Sequence, residues 1–163
     1  MKRLWAPWRI EYIKGPKDDA CFFCKYFQED NDKTNLVLHR GKNAFVMMNY
    51  YPYNNGHLMI APYNHTSEIG DLDNDTKLEM MNYIAHCQKA LTLHLNAQGF
   101  NVGINYGAVA GAGVKDHLHI HVIPRWNGDT NFMPVSGHTK VISQELQETW
   151  DTLRNYFEKL PDN

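Results

Sequence analysis

The 163-residue chain is one domain's worth of sequence, enough to bury about 70% of the surface its unfolded form would expose. At 43% hydrophobic and 21% charged residues it is neither disordered nor fibrous. Sixteen Lys and Arg against eighteen Asp and Glu leave a net charge of −2, which argues against a protein living on nucleic-acid or membrane contact.

In chain order, Met1 to Arg9 lacks the apolar stretch of a secretion signal, and no apolar run approaches the roughly 20 residues of a membrane span. Residues 1–20 read as an N-terminal arm whose Trp5 and Trp8 serve packing or a dimer contact. Cys21-Phe-Phe-Cys24 follows. With three cysteines in the chain, it points to a reducing cytoplasm and to metal or redox chemistry rather than a disulfide framework. Leu36–His39 and Ala44–Met48, joined by Arg40-Gly-Lys-Asn43, read as a β-hairpin. Gly56–Ala61, closed by Pro62, is a short buried strand. The cap-rich Asp71-Leu-Asp-Asn-Asp-Thr76 opens a helix that runs to about Gln98 and is ended by Gly99. Leu78, Met81, Ile84, Cys87, Leu91 and Leu95 form its apolar face. Asn101–Asn105 and His117–Ile123 are the next strands. A C-terminal helix over about 143–160 buries Leu146, Trp150, Leu153, Phe157 and Leu160, and Pro161 stops it. No linker or repeat divides the chain, so 1–163 reads as one antiparallel α+β domain.

The chemistry concentrates in His117-Leu-His-Ile-His-Val-Ile-Pro-Arg125-Trp126. On a strand, His117, His119 and His121 share one face while Leu118, Ile120 and Val122 anchor the other. Three neutral imidazoles suit a metal. Equally, one imidazole can be a nucleophile that its neighbours orient while one protonates the leaving group. Upstream, Asn105-Tyr-Gly-Ala-Val-Ala-Gly-Ala-Gly113 has the glycines of an anion-binding loop, although their spacing is not that of a dinucleotide fingerprint. A phosphate cradle beside a histidine row favours the nucleophile.

His117-Leu-His-Ile-His-Val-Ile, paired with Gly56-His-Leu-Met-Ile-Ala-Pro62, resembles the histidine triad (HIT) family of nucleotide hydrolases and transferases. The resemblance implies an α+β HIT-like fold with a five-stranded antiparallel sheet, one long central helix and a C-terminal helix. It also implies a homodimer and attack on a nucleotide α-phosphate. His119 would be the nucleophile, His121 the leaving-group assistant and His57 the additional active-site histidine. Asn49 would bind ribose; Asn105, Gly111, Gly113 and Val114 would surround the phosphates. The loop is one residue longer than in shorter members, and Val114 stands where many carry Ser or Thr. HIT proteins with an N-terminal CxxC bind a structural zinc, which implies Cys21, Cys24, His65 and His117 as ligands. Cys87 reads as core, and His39, His86 and His94 as surface or helix-face residues.

The long segment Arg125 to His138, with the Leu4-Trp-Ala-Pro-Trp-Arg9 opening, resembles the branch with bacterial diadenosine tetraphosphate phosphorylases. Arg125 and Trp126 join the nucleotide-binding set, with Arg125, Lys140 and His138 supplying charge for an acceptor phosphate. The expected substrates are adenine nucleotides or dinucleoside polyphosphates, cleaved with phosphate or water as acceptor. The alternatives are a phosphoramidase or adenylate hydrolase using the same residues, a nucleotide-binding module without turnover, and a catalytic metal site made by the triad.

Overall fold

The computed structural model describes residues 21–129 and 144–160. The expectations for Trp5, Trp8, His138, Lys140 and Pro161 lie outside these residues. Helix α1 (Phe22–Gln28) precedes the hairpin β1 (Val37–Arg40) and β2 (Ala44–Met48), then β3 (Leu58–Pro62). Helix α2 (Asn74–Leu95), β4 (Gly99–Ile104), β5 (Ile120–Arg125) and helix α3 (Leu146–Phe157) complete the order. The strands form one antiparallel sheet in the order β1-β2-β3-β5-β4, the α+β architecture expected.

Period-2 alternation divides the strands between two apolar layers. Ala44, Val46, Met48, Leu58, Ile60, Ile120 and Val122 face α2 and α3 in the larger core. Phe45, Met47, Met59 and Ala61 face the other way, where Phe23 of α1 covers them. Helix α3 also protects an edge. The Trp150 indole donates to the Val37 carbonyl at 3.0 Å and the Arg154 guanidinium to the Leu38 carbonyl at 2.8 Å. Outward carbonyls of β1, which would otherwise invite a foreign strand, are thereby occupied. Trp150, Leu153 and Phe157 are buried as the spacing predicts.

Helix α2 departs from expectation in two ways. Leu78 and Met81 are 62% and 60% exposed, and the buried stripe is instead Thr76, Met80, Tyr83, Cys87, Ala90 and Leu91. A buried carboxylate shifts the register: Glu79 accepts from the Asn43 backbone N–H at 3.0 Å, the Asn43 amide at 2.9 Å and the Tyr83 hydroxyl at 2.9 Å. Those hydrogen bonds make it cheaper to bury Glu79 than hydrophobicity alone suggests. The helix also ends before Gly99, because Asn96 adopts a left-handed conformation at φ 53° and its N–H caps the Leu91 carbonyl. The final strand likewise begins at Ile120 rather than His117. His117 to His119 approach it outside the ladder, with the Leu118 N–H donating to the Thr66 carbonyl.

Candidate active site

Strand β5 carries His121, and the stretch leading into it carries His117 and His119. His121 pairs with Met59 of β3 and Gly103 of β4, while Leu118, Ile120 and Val122 enter the helix-side core. His117, His119 and His121 are all buried. His57 joins them from the turn before β3. There Gly56 sits at φ +72°, and a Cβ on it would lie 2.6 Å from the Leu95 side chain. Glycine therefore allows the chain to turn against α2 and present His57 to the opposite face.

Hydrogen-bond partners fix which nitrogen of each ring carries a proton. His119 Nδ1 is 2.9 Å from the His117 carbonyl, which only accepts, so Nδ1 holds the proton and Nε2 keeps a lone pair. The Tyr53 backbone N–H donates to His57 Nδ1 at 3.1 Å, which puts the His57 proton on Nε2, 2.9 Å from His121 Nδ1. His121 is then protonated at Nε2, and the Asn105 side chain 3.4 Å away accepts from it with the amide turned to present Oδ1. Burial lowers the pKa of His119 below the usual imidazole value and lowers that of His121 to about 4, with a charge on His119 as the second cause for His121. Both rings are thus neutral at pH 7. One row carries an unprotonated nitrogen beside an N–H donor, which suits nucleophilic displacement with a hydrogen bond to the leaving oxygen.

Around this row the expected nucleotide-binding residues separate into two groups. Asn49 lies beside His57, its amide 3.5 Å from Nδ1 while its oxygen accepts the Tyr51 N–H. Asn105 reaches His121, and Val114 packs with the apolar cluster that contains Phe23. Gly107 and Gly111 have φ +73° and +92°, so the loop does need glycine. The Gly111 N–H, however, donates to the Ala108 carbonyl and the Ala112 N–H to Gly107, so these donors hold the loop together. Gly113 follows in the same loop. Arg125 and Trp126 are not brought to the histidines. The Arg125 guanidinium pairs with Asp129 at 2.5 Å and with the Asn101 side chain at 2.7 Å. The Trp126 indole donates to the Leu95 carbonyl and packs on the helix-side core.

A second cluster adjoins the row. Donor atoms of Cys21, Cys24, His65 and His117 all lie within 4.8 Å of one another. Cys21 Sγ is 3.2 Å from His117 Nδ1, and Cys24 Sγ is 3.1 Å from His65 Nδ1. His117 Nε2 donates to the Pro62 carbonyl at 2.9 Å, which turns the lone pair of Nδ1 towards the thiols. Burial lowers the His117 pKa to about 4, and burial with the neighbouring Cys21 pushes the Cys24 thiol up to about 11. Two sulfurs and two imidazoles, one held by a backbone carbonyl, fit a closed tetrahedral zinc site. His39 on β1 packs edge-on to Tyr83, and His86 on the face of α2 lies 3.3 Å from the Tyr156 hydroxyl.

Sequence reasoning passed over Tyr53, whose ring stacks on His57. Its signal in the sequence is the aromatic run Tyr50-Tyr51-Pro52-Tyr53 just ahead of Gly56-His57.

The HIT domain matches residues 29–128. AP-4-A phosphorylase of Mycobacterium tuberculosis is 40% identical over 99% of this chain and 87% of its own length. An adenosine 5'-monophosphoramidase of Saccharomyces cerevisiae is 29% identical over 66% of this chain and 64% of its own. Among solved structures, a Zn-bound histidine triad family protein from Mycobacterium smegmatis superposes with a TM-score of 0.69. It is 26% identical, covering 86% of this chain and 95% of that one.

Proposed function

Since the chain belongs to the HIT domain family, we propose that it cleaves dinucleoside polyphosphates such as diadenosine tetraphosphate at the α-phosphate through a nucleotidyl-histidine. The observation that carries this is the hydrogen bond from His119 Nδ1 to the His117 carbonyl, which leaves Nε2 as a lone pair in a buried row. Similarity to AP-4-A phosphorylase supports the substrate. His119 Nε2 attacks the α-phosphorus, and the bond to the bridging oxygen of the departing ATP breaks. The Nε2–H of His121 hydrogen-bonds to that oxygen and stabilises the charge on it as ATP departs as an anion, with His57 hydrogen-bonded to Nδ1 behind it. Phosphate then attacks the adenylyl-histidine, releasing ADP and restoring His119. The net reaction is diadenosine tetraphosphate plus phosphate to ADP plus ATP.

In this reading Asn49 holds the ribose, while Asn105, Gly113 and Val114 border the phosphates and Gly111 shapes their loop. The engaged guanidinium of Arg125 and the helix-side position of Trp126 argue against roles for them at the phosphorus. A second reading, hydrolysis of adenosine phosphoramidates by the same row, is favoured by the likeness to the yeast monophosphoramidase. Chromatography of products with and without phosphate tests both. ADP plus ATP formed in dependence on phosphate supports the phosphorylase. AMP plus ATP at a rate indifferent to phosphate makes the enzyme a hydrolase, and turnover of phosphoramidates alone favours the second reading.

Cys21, Cys24, His65 and His117 would hold one zinc ion, which supplies a structural tie between α1 and the approach to β5. The reduced thiols suit the cytoplasm. Residues 1–163 act as a single domain in this account. A homodimer would use β4, an edge strand whose Val102 is exposed and which hydrogen-bonds only to β5 among the described residues.

A further inference from the structure

The turn between β2 and β3 sets an aromatic ring over one end of the histidine row. Tyr53 stacks on His57 with ring centroids 5.0 Å apart and planes at 23°, and its centroid is 6.1 Å from that of His121. At the other end Phe23 packs on His117 and His119 at 5.0 and 4.9 Å. The two aromatics differ in exposure: Phe23 is fully buried, whereas Tyr53 is 45% exposed. Phe23 is core. Tyr53 covers His57 with one face and leaves much of its remaining surface to solvent.

That exposure is not needed to orient His57, because the backbone N–H of Tyr53 already makes the hydrogen bond to Nδ1. His121 and His57 are also the pair assigned to the leaving group, so whatever leaves passes beside this ring. In a dinucleoside polyphosphate the leaving group carries a second base, and a base stacks well on an aromatic face.

We propose that Tyr53 is the stacking platform for the distal nucleoside and makes the site prefer dinucleoside over mononucleoside polyphosphates. The proposal rests on the assignment of His119 as nucleophile and His121 as hydrogen-bond donor to the leaving group. Tyr53 is a specificity residue that touches no reacting atom. Since every base presents a π face, the platform tolerates purine and pyrimidine distal nucleosides alike.

The test compares diadenosine tetraphosphate with adenosine 5'-tetraphosphate, which has the same adenylyl half and a bare polyphosphate leaving group. Both are assayed with phosphate present. Tyr53→Ala should lower kcat/KM for the dinucleotide about tenfold, mainly through KM, and leave the mononucleotide within about twofold. Tyr53→Trp should retain the dinucleotide preference. An equal loss on both substrates would overturn the proposal by reducing the ring to a support for His57, and so would no change on either. A wild-type protein that cleaves neither substrate would instead remove the nucleotide-cleavage reading, and the platform with it.

Discussion

His117 and His119 stand two residues apart, both buried, yet opposite nitrogens of their rings are hydrogen-bonded. The Pro62 carbonyl takes the Nε2 proton of His117 and leaves Nδ1 facing two thiols. The His117 carbonyl takes the Nδ1 proton of His119 and leaves Nε2 open. Burial makes both rings neutral bases. In the proposed function, the backbone carbonyl that each ring meets separates the ring that would hold zinc from the ring that would attack phosphorus. It also joins them, because the peptide of the first supplies the acceptor for the second.

The comparison breaks most visibly at His119. His119→Gly should cut turnover by about three orders of magnitude or more while AMP still binds, because the lost nitrogen acts in bond making. A variant retaining a tenth of wild-type turnover would place the nucleophile elsewhere. Next in size is Cys24→Ser, which should abolish near-stoichiometric zinc in protein purified without added metal and lower Tm by several degrees. Elemental analysis and a melting curve measure it, and unchanged stability without metal would remove the site. A smaller effect follows from protonation. His121 titrates near 6.5 when unfolded and at about 4 when folded, so the unfolded chain binds more protons between those values. Stability should therefore be complete above about pH 6.5 and decline as pH falls towards 4, read as Tm against pH. Smallest is Arg125→Ala. With its guanidinium committed to Asp129 and Asn101, its loss should change kcat/KM by less than about threefold, and abolished phosphate dependence would return Arg125 to the site.

Much of this was legible beforehand. The hairpin, β3 and the shared face of the histidines follow from alternation, and the proximity of Cys21, Cys24, His65 and His117 matches the set implied by the family resemblance. What was not legible depends on side-chain contacts that periodicity does not encode. Glu79 is buried by Asn43, thirty-six positions away, and rotates α2 off the face that Leu78 and Met81 suggest. The sequence suggests Arg125 as a nucleotide-binding charge, but its pairing with Asn101 on the neighbouring strand is not visible in a linear reading. Tyr53 escaped because its importance lies in a ring stacked on His57, which no periodicity encodes.

The central claim, that His119 Nε2 forms the covalent bond, is tested most directly by rapid quenching of the enzyme with diadenosine tetraphosphate, then peptide mass spectrometry under mildly alkaline conditions. The account predicts an adenylyl group on the peptide Leu118-His-Ile-His121, localised to His119 and discharged as ADP when phosphate is added. An adduct on His121 or His57, or turnover with no adduct at any time point, would contradict it.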